Sequence, residues 1–81
     1  MTGLRIISEI PKNAMEAIRV SLSEYQGQAV LDCRVWYRRG DGDMRPGPKG
    51  LTVAIRHLPQ LADALAKAVL EAQESKLLPE T

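Results

Sequence analysis

The sequence predicts an α+β domain: four antiparallel strands followed by one C-terminal helix. Three observations predict it. Apolar and polar residues alternate in residues 18–23 and 30–38, the two-residue period of a half-buried strand. Turn-forming residues separate the apolar runs, at Gln26-Gly27 and at Gly40-Asp41-Gly42-Asp43. After residue 57 the apolar spacing changes to three and four, through Leu58, Leu61, Ala62, Leu65, Ala68, Val69 and Ala72, the period of an amphipathic helix.

Taken in order, residues 4–10 are apolar and β-branched enough for a short strand, ended by Pro11. Residues 12–17 carry no clear period. In the second strand Ile18, Val20 and Leu22 alternate with Arg19, Ser21 and Ser23. In the third, Leu31, Cys33 and Val35 share one face, and Asp32, Arg34, Trp36 and Arg38 share the other. The Gly-Asp-Gly-Asp run is a hairpin turn. Pro46-Gly47-Pro48-Lys49-Gly50 reads as rigid punctuation, with glycines free to take positive φ. Residues 51–55 form the last strand. Pro59 is tolerated only in a first helical turn, which places the helix start near residues 55–58. Strands joined by turns and closed by one helix give a sheet with one covered face and one open face.

Length and composition bound the rest. The chain has 81 residues, three aromatics and no Phe. That is one domain, 1–81, with a core over about 4–73 and a flexible tail at 74–81. A domain of this size buries only about 60% of its unfolded surface, so its core is thin. One Cys excludes an internal disulfide, and one Cys with one His makes no structural zinc site. Oligomerisation is the remaining support.

The net charge of +1 conceals an asymmetry. Residues 1–33 carry three bases and four acids, residues 34–56 six bases and two acids, and residues 57–81 two bases and four acids. The middle third is a cationic zone on a near-neutral chain, able to attract anions locally. No apolar run approaches the ~20 residues of a membrane span, no export signal is visible, and a lone thiol suits a reducing cytoplasm.

Catalytic chemistry finds little support. Cys33 and His57 could pair as a nucleophile and base, but Cys33 alternates with Leu31 and Val35 and reads better as a small core residue. Asp41 and Asp43 are turn residues. Gly47 and Gly50 lack the phosphate-loop spacing. The chain is therefore not expected to be an enzyme, and no cofactor or metal is expected. The aromatics say more. Tyr25, Trp36 and Tyr37 fall beside Arg34, Arg38, Arg39, Arg45 and Lys49. Cations neutralise phosphates and exposed rings stack on unpaired bases; the competing reading makes the rings core or interface anchors and the arginines a solvated surface.

Three strings carry a resemblance: residues 18–27 (IRVSLSEYQG), 30–37 (VLDCRVWY) and 42–50 (GDMRPGPKG). Together, without a gap from Ile18 to Gly50, they resemble the C-terminal domain of transcriptional positive cofactor four and its bacterial relatives. The resemblance implies a strongly curved four-stranded sheet and helix, a homodimer built through helices and strand ends, and a Whirly-like architecture. It also implies grooves that hold single-stranded or melted DNA with little sequence preference.

By position, the resemblance makes Tyr25 a stacking aromatic before the turn, Arg34 a mid-strand phosphate contact and Tyr37 the second stacking aromatic. Arg45 and Lys49 become the basic residues of the Pro-Gly loop, and Lys12 the basic residue after the first strand. With Gln28 at the turn and Trp36 and Arg38 beside these positions, the candidate nucleic-acid set is Lys12, Tyr25, Gln28, Arg34, Trp36, Tyr37, Arg38, Arg45 and Lys49. The candidate dimer contacts are Leu58, Leu61, Leu65 and Val69. Strict alternation puts Trp36, not Tyr37, beside Arg34; a β-bulge between Arg34 and Tyr37 would bring Tyr37 to that face. Gln26, Gln28 and Pro48 replace basic residues usual in the family, which should weaken phosphate binding. The family's basic, Ser-rich N-terminal arm has no counterpart here.

The leading expectation is a cytoplasmic, homodimeric module for single-stranded DNA, with RNA as an alternative strand and RNA polymerase or other nucleic-acid machinery as protein partners. The second is a protein-interaction adaptor of the transcription or recombination machinery that keeps the fold and has lost nucleic-acid affinity.

Overall fold

A computed structural model describes residues 3–79. Four strands run in sequence: β1 (Arg5–Pro11), β2 (Glu16–Tyr25), β3 (Gln28–Arg38) and β4 (Met44–Ala54). A single 3-10 turn (Ile55–His57) leads into helix α1 (Leu58–Glu74). The sheet order is β1-β2-β3-β4 with every pair antiparallel, the α+β meander and terminal helix that the alternating patterns predict.

Turn chemistry sets the register. Gln26 (φ 51°) and Gly27 (φ 80°) both take positive φ, the conformation of a two-residue hairpin whose twist matches its strands. Tyr25 and Gln28 therefore face each other, and pairing continues without a slip to Glu16 opposite Tyr37. Asn13 organises the β1–β2 turn that alternation leaves unassigned: its Oδ1 accepts from the Met15 amide at 2.9 Å and its Nδ2 donates to Glu16 at 2.9 Å. Between β3 and β4, the Asp43 amide donates to Asp41 Oδ1 at 3.0 Å, and Arg39 N donates to the Asp43 carbonyl at 2.7 Å.

Two expectations are corrected. The Pro46–Gly50 segment is not punctuation before the last strand. It lies inside β4, which begins at Met44. Two prolines are tolerated there because β4 is an edge strand with one side free of ladder bonds. The irregularity does lie between Arg34 and Trp36, but its extra residues are on the partner strand. Arg34 pairs with Gly50 and Trp36 with Pro46, so residues 47–49 of β4 loop out against Val35 alone. The extra residues are on β4, β3 keeps its alternation, and Tyr37 stays on the face opposite Arg34.

Cross-strand pairs share a face. One face carries Ala17, Arg19, Ser21, Ser23 and Tyr25 from β2 against Trp36, Arg34, Asp32, Val30 and Gln28 from β3. The other carries Ile18, Val20 and Leu22 against Val35, Cys33 and Leu31, and α1 lies over it. Among the described residues the buried ones are Leu31 on the helix side and, on the open side, Ala17 and Ser21. Leu58, Leu61, Ala62 and Leu65 border an apolar cleft of about 200 Å³ with Val20, Leu31, Cys33 and Leu51. The helix is uncovered from the rim of that cleft onward: Leu65 at the rim is 59% exposed and Val69 beyond it 47%. At its end the Leu77 amide donates to the Ala72 carbonyl at 2.7 Å and Lys76 N to the Gln73 carbonyl at 3.1 Å. With Lys76 at φ 60°, this is a Schellman cap formed without glycine.

Candidate nucleic-acid interface

The open face is built around Trp36. Its indole lies on the side of the small residues Ala17 and Ser21, and the Arg19 guanidinium carbon stands 4.6 Å from its ring centroid. Arg19 is held in turn by Glu9, Nε to Oε2 at 2.6 Å. The Trp36 Nε1 is buried and has no hydrogen-bond partner among the described residues. One ring face is thus covered by a cation of the same chain.

Arg34 sits directly across from Arg19. Its Nε donates to both Asp32 oxygens (3.1 and 3.0 Å), Nη2 to Asp32 Oδ1 (2.9 Å) and Thr52 Oγ1 (3.4 Å), and Nη1 to the Gly47 carbonyl (3.0 Å). Thr52 Oγ1 itself donates to Asp32 Oδ1 at 2.7 Å. Burial pushes the Asp32 carboxyl up, but the hydrogen bonds from Arg34 and Thr52 and the Arg34 charge outweigh it and hold it below its ordinary value. The hydrogen bond to Asp32 raises the Arg34 pKa in turn.

From this centre the face opens toward Tyr25 as a groove of about 280 Å³, bordered by Leu4, Ser23, Val30, Asp32 and Trp36. Tyr25 is 64% exposed, with Gln28 opposite it and Glu24 beside it. Tyr37 lies at the other end of the β2–β3 ladder, nine residue steps away, or about 30 Å. It is 43% exposed and lines a depression of about 160 Å³ with Glu16, Val35, Gly47, Pro48 and Lys49. Arg45 is its partner on β4.

The cations divide between the two ends. Lys12 pairs with Glu16 at 3.5 Å and Arg45 loosely with Asp43 at 3.8 Å, both exposed. The Arg38 side chain donates to the Gly42 carbonyl at 3.0 Å. Arg38, Arg39 and Lys49 make no ion pair among the described residues. The Glu16 carboxyl lies below its ordinary value, first through the Asn13 hydrogen bond, then through Lys12. The structure therefore gathers Lys12, Tyr37, Arg38, Arg45 and Lys49 at one end, places Arg34 and Trp36 in a braced centre, and leaves Tyr25 and Gln28 at the far end. Sequence reasoning missed Arg19 and Asp32; the polar positions of the two alternating strands were the available signal for both.

The sequence profile of the Transcriptional Coactivator p15 (PC4) family matches residues 12–64, well over half of the chain. The chain belongs to the PC4 family. Its structure is similar to that of BPSL1147, a PC4 homolog from Burkholderia pseudomallei, in two crystal forms. In the tetragonal form the TM-score is 0.76 at 28% identity, covering 83% of this chain and 98% of the homolog. In the orthorhombic form it is 0.76 at 29% identity, covering 84% and 90%. No curated protein matches this sequence. PC4 membership suggests a nucleic-acid-binding, coactivator-like role, and the family is a non-enzymatic one. Among the described residues no His, Cys, Asp or Glu cluster could hold a metal, and no helix is long and apolar enough to cross a membrane.

Proposed function

We propose that this PC4-family chain is a homodimeric module that binds single-stranded or melted DNA through phosphate contacts and base stacking, with little sequence preference. The observation that carries the reading is the exposed Tyr37 ring beside Lys49 and Arg45, with Arg38 and Lys12 at the same end. A ring for a base and cations for the flanking phosphates are the two elements such binding needs. Tyr25 and Gln28 supply a second, less charged contact. The uncovered Leu65 and Val69, continuous with Leu58 and Leu61, supply the dimer face.

Titration of a labelled oligo-dT, a duplex and a single-stranded RNA at about 50 and 200 mM salt tests the proposal. Tight oligo-dT binding that weakens with salt supports it; absence of binding at the lower salt removes it. Gel filtration with light scattering reads the dimer, and Leu65→Asp should give monomers.

One observation favours the adaptor reading: Glu9 and Asp32 already compensate Arg19 and Arg34 at the centre of the open face. A pull-down that retains RNA polymerase or other nucleic-acid machinery after nuclease treatment would support it. Operation in the cytoplasm, at the nucleoid in a bacterium, belongs to the same proposal.

A further inference from the structure

We infer that Arg34 is a positioning residue, acting on nucleic acid through the β4 bulge rather than by touching phosphate itself. The inference rests on the nucleic-acid reading above and concerns how that site is held. A guanidinium has five N–H donors. Arg34 commits all but one Nη1 hydrogen to Asp32, Thr52 and the Gly47 carbonyl. Its side chain is only 22% exposed, and the Asp32 carboxylate cancels its charge at 2.9 Å. A phosphate approaching this group meets a neutralised pair with all but one of its donors in use.

What the fork does is join two parts of the molecule. Two donors grip the sheet at Asp32, and the Asp32–Thr52 bond extends that grip to the regular part of β4. Nη1 holds the carbonyl of Gly47, the first residue of the bulge. The bulge fits closely against β3. A Cβ at Gly47 would stand 2.9 Å from the Val35 carbonyl oxygen, and one at Gly50 would stand 2.6 Å from that of Cys33. Lys49, between these close approaches, is held beside Tyr37. Arg45 precedes the bulge, opposite Tyr37. Releasing the Gly47 carbonyl frees the segment that presents Lys49. A lysine at position 34 keeps the charge but has no planar fork with which to span Asp32 and Gly47.

A double-mutant cycle on the full chain tests this, using Arg34→Gln, Lys49→Gln and the double variant against labelled oligo-dT at about 50 mM salt. Thermal melts verify that each variant is folded. The expected result is non-additive: Arg34→Gln weakens binding about tenfold alone and about twofold or less in the Lys49→Gln background. Arg34→Lys is expected to behave as Arg34→Gln. Additive losses, or near-wild-type binding by Arg34→Lys, would overturn the inference and make Arg34 a direct phosphate contact. A readout without nucleic acid separates this from failure of the binding reading. The backbone amide resonances of Gly47 and Lys49 should move or broaden in Arg34→Gln and Arg34→Lys, while that of Gly47 should stay in place in Lys49→Gln. If they do not respond to either Arg34 variant, the brace is wrong. If they respond while the wild type binds no oligonucleotide, the brace stands and the nucleic-acid reading falls.

Discussion

The two ends of the long β2–β3 hairpin each expose a tyrosine, yet they are different places. At the turn end Tyr25 is the more exposed ring, but its neighbours are Glu24, Gln26 and Gln28. At the other end Tyr37 is less exposed, lies on the opposite face of the sheet and stands beside Arg45 and Lys49, with Arg38 at the same end on the open face. Exposure of a ring supplies a surface for stacking, but affinity for a polyanion needs cations within reach and not already paired. The lesson extends to the arginines. Arg19 and Arg34 lie at the centre of the open face, where an inventory of charge would place the strongest attraction, and both are compensated by carboxylates. Position on the right face is therefore not enough.

The comparison breaks first if the centre separating the two ends is itself the ligand site. Trp36→Ala should lose about 3 kcal/mol of stability, by removing a large ring from the side of the sheet that buries Ala17 and Ser21. For a domain of this size that lowers Tm by roughly 4–8 °C per kcal/mol. An unchanged Tm with lost binding would make Trp36 a stacking platform. Gly50→Ala follows, at about 1–3 kcal/mol, because its Cβ would meet the Cβ and backbone of Arg34. Calorimetry measures both.

Next come the rings. Tyr37→Ala should weaken oligo-dT binding by about 1–3 kcal/mol, and Tyr25→Ala by less, since fewer phosphate contacts flank it. Equal losses would erase the distinction between the ends. The central clamp also has a pH signature. Asp32 has a folded pKa below its unfolded one, so the unfolded chain binds the proton first. The stability it contributes is full above about pH 4, near the unfolded value, and is lost as pH falls from there through the folded value. Melts between pH 5 and 3 should show this loss, and Asp32→Asn should reduce it. The smallest effect sharpens the contrast directly: Gln28→Lys should raise affinity about twofold and steepen the salt dependence by ~0.7, the increment of one single-strand phosphate.

Much of this was legible in the sequence, in particular residues. The alternation of Ile18, Val20 and Leu22, the Gln26-Gly27 turn, the Gly-Asp turn and Pro59 in the first helical turn each led to the observed element. The start of β4 was hidden, because Pro46 and Pro48 signal a break unless the strand is known to be an edge. The bulge was anticipated on the wrong strand. Composition marks Gly47 and Gly50 as unusual, but only the pairing shows that residues 47–49 carry the surplus. Of the candidate site, the cationic zone and the three aromatics were visible. The pairing of Arg34 with Asp32, two residues away on one face, was within reach of the alternation, but that of Arg19 was not, because Glu9 meets it across ten residues of chain.

By itself the sequence determined the strand and helix periods, the turns and the concentration of positive charge in the middle third. These follow from local propensity and counting, which act within a few residues along the chain. Tertiary structure decided that alternation and not a bulge on β3 sets the faces of Trp36 and Tyr37, that Ala17 and Ser21 are buried on the open side, and that Arg34 holds Asp32 and Gly47 instead of offering its donors outward. Those outcomes depend on strand register and on side chains far apart in sequence, and a shift of one residue in register would reverse every one of the faces.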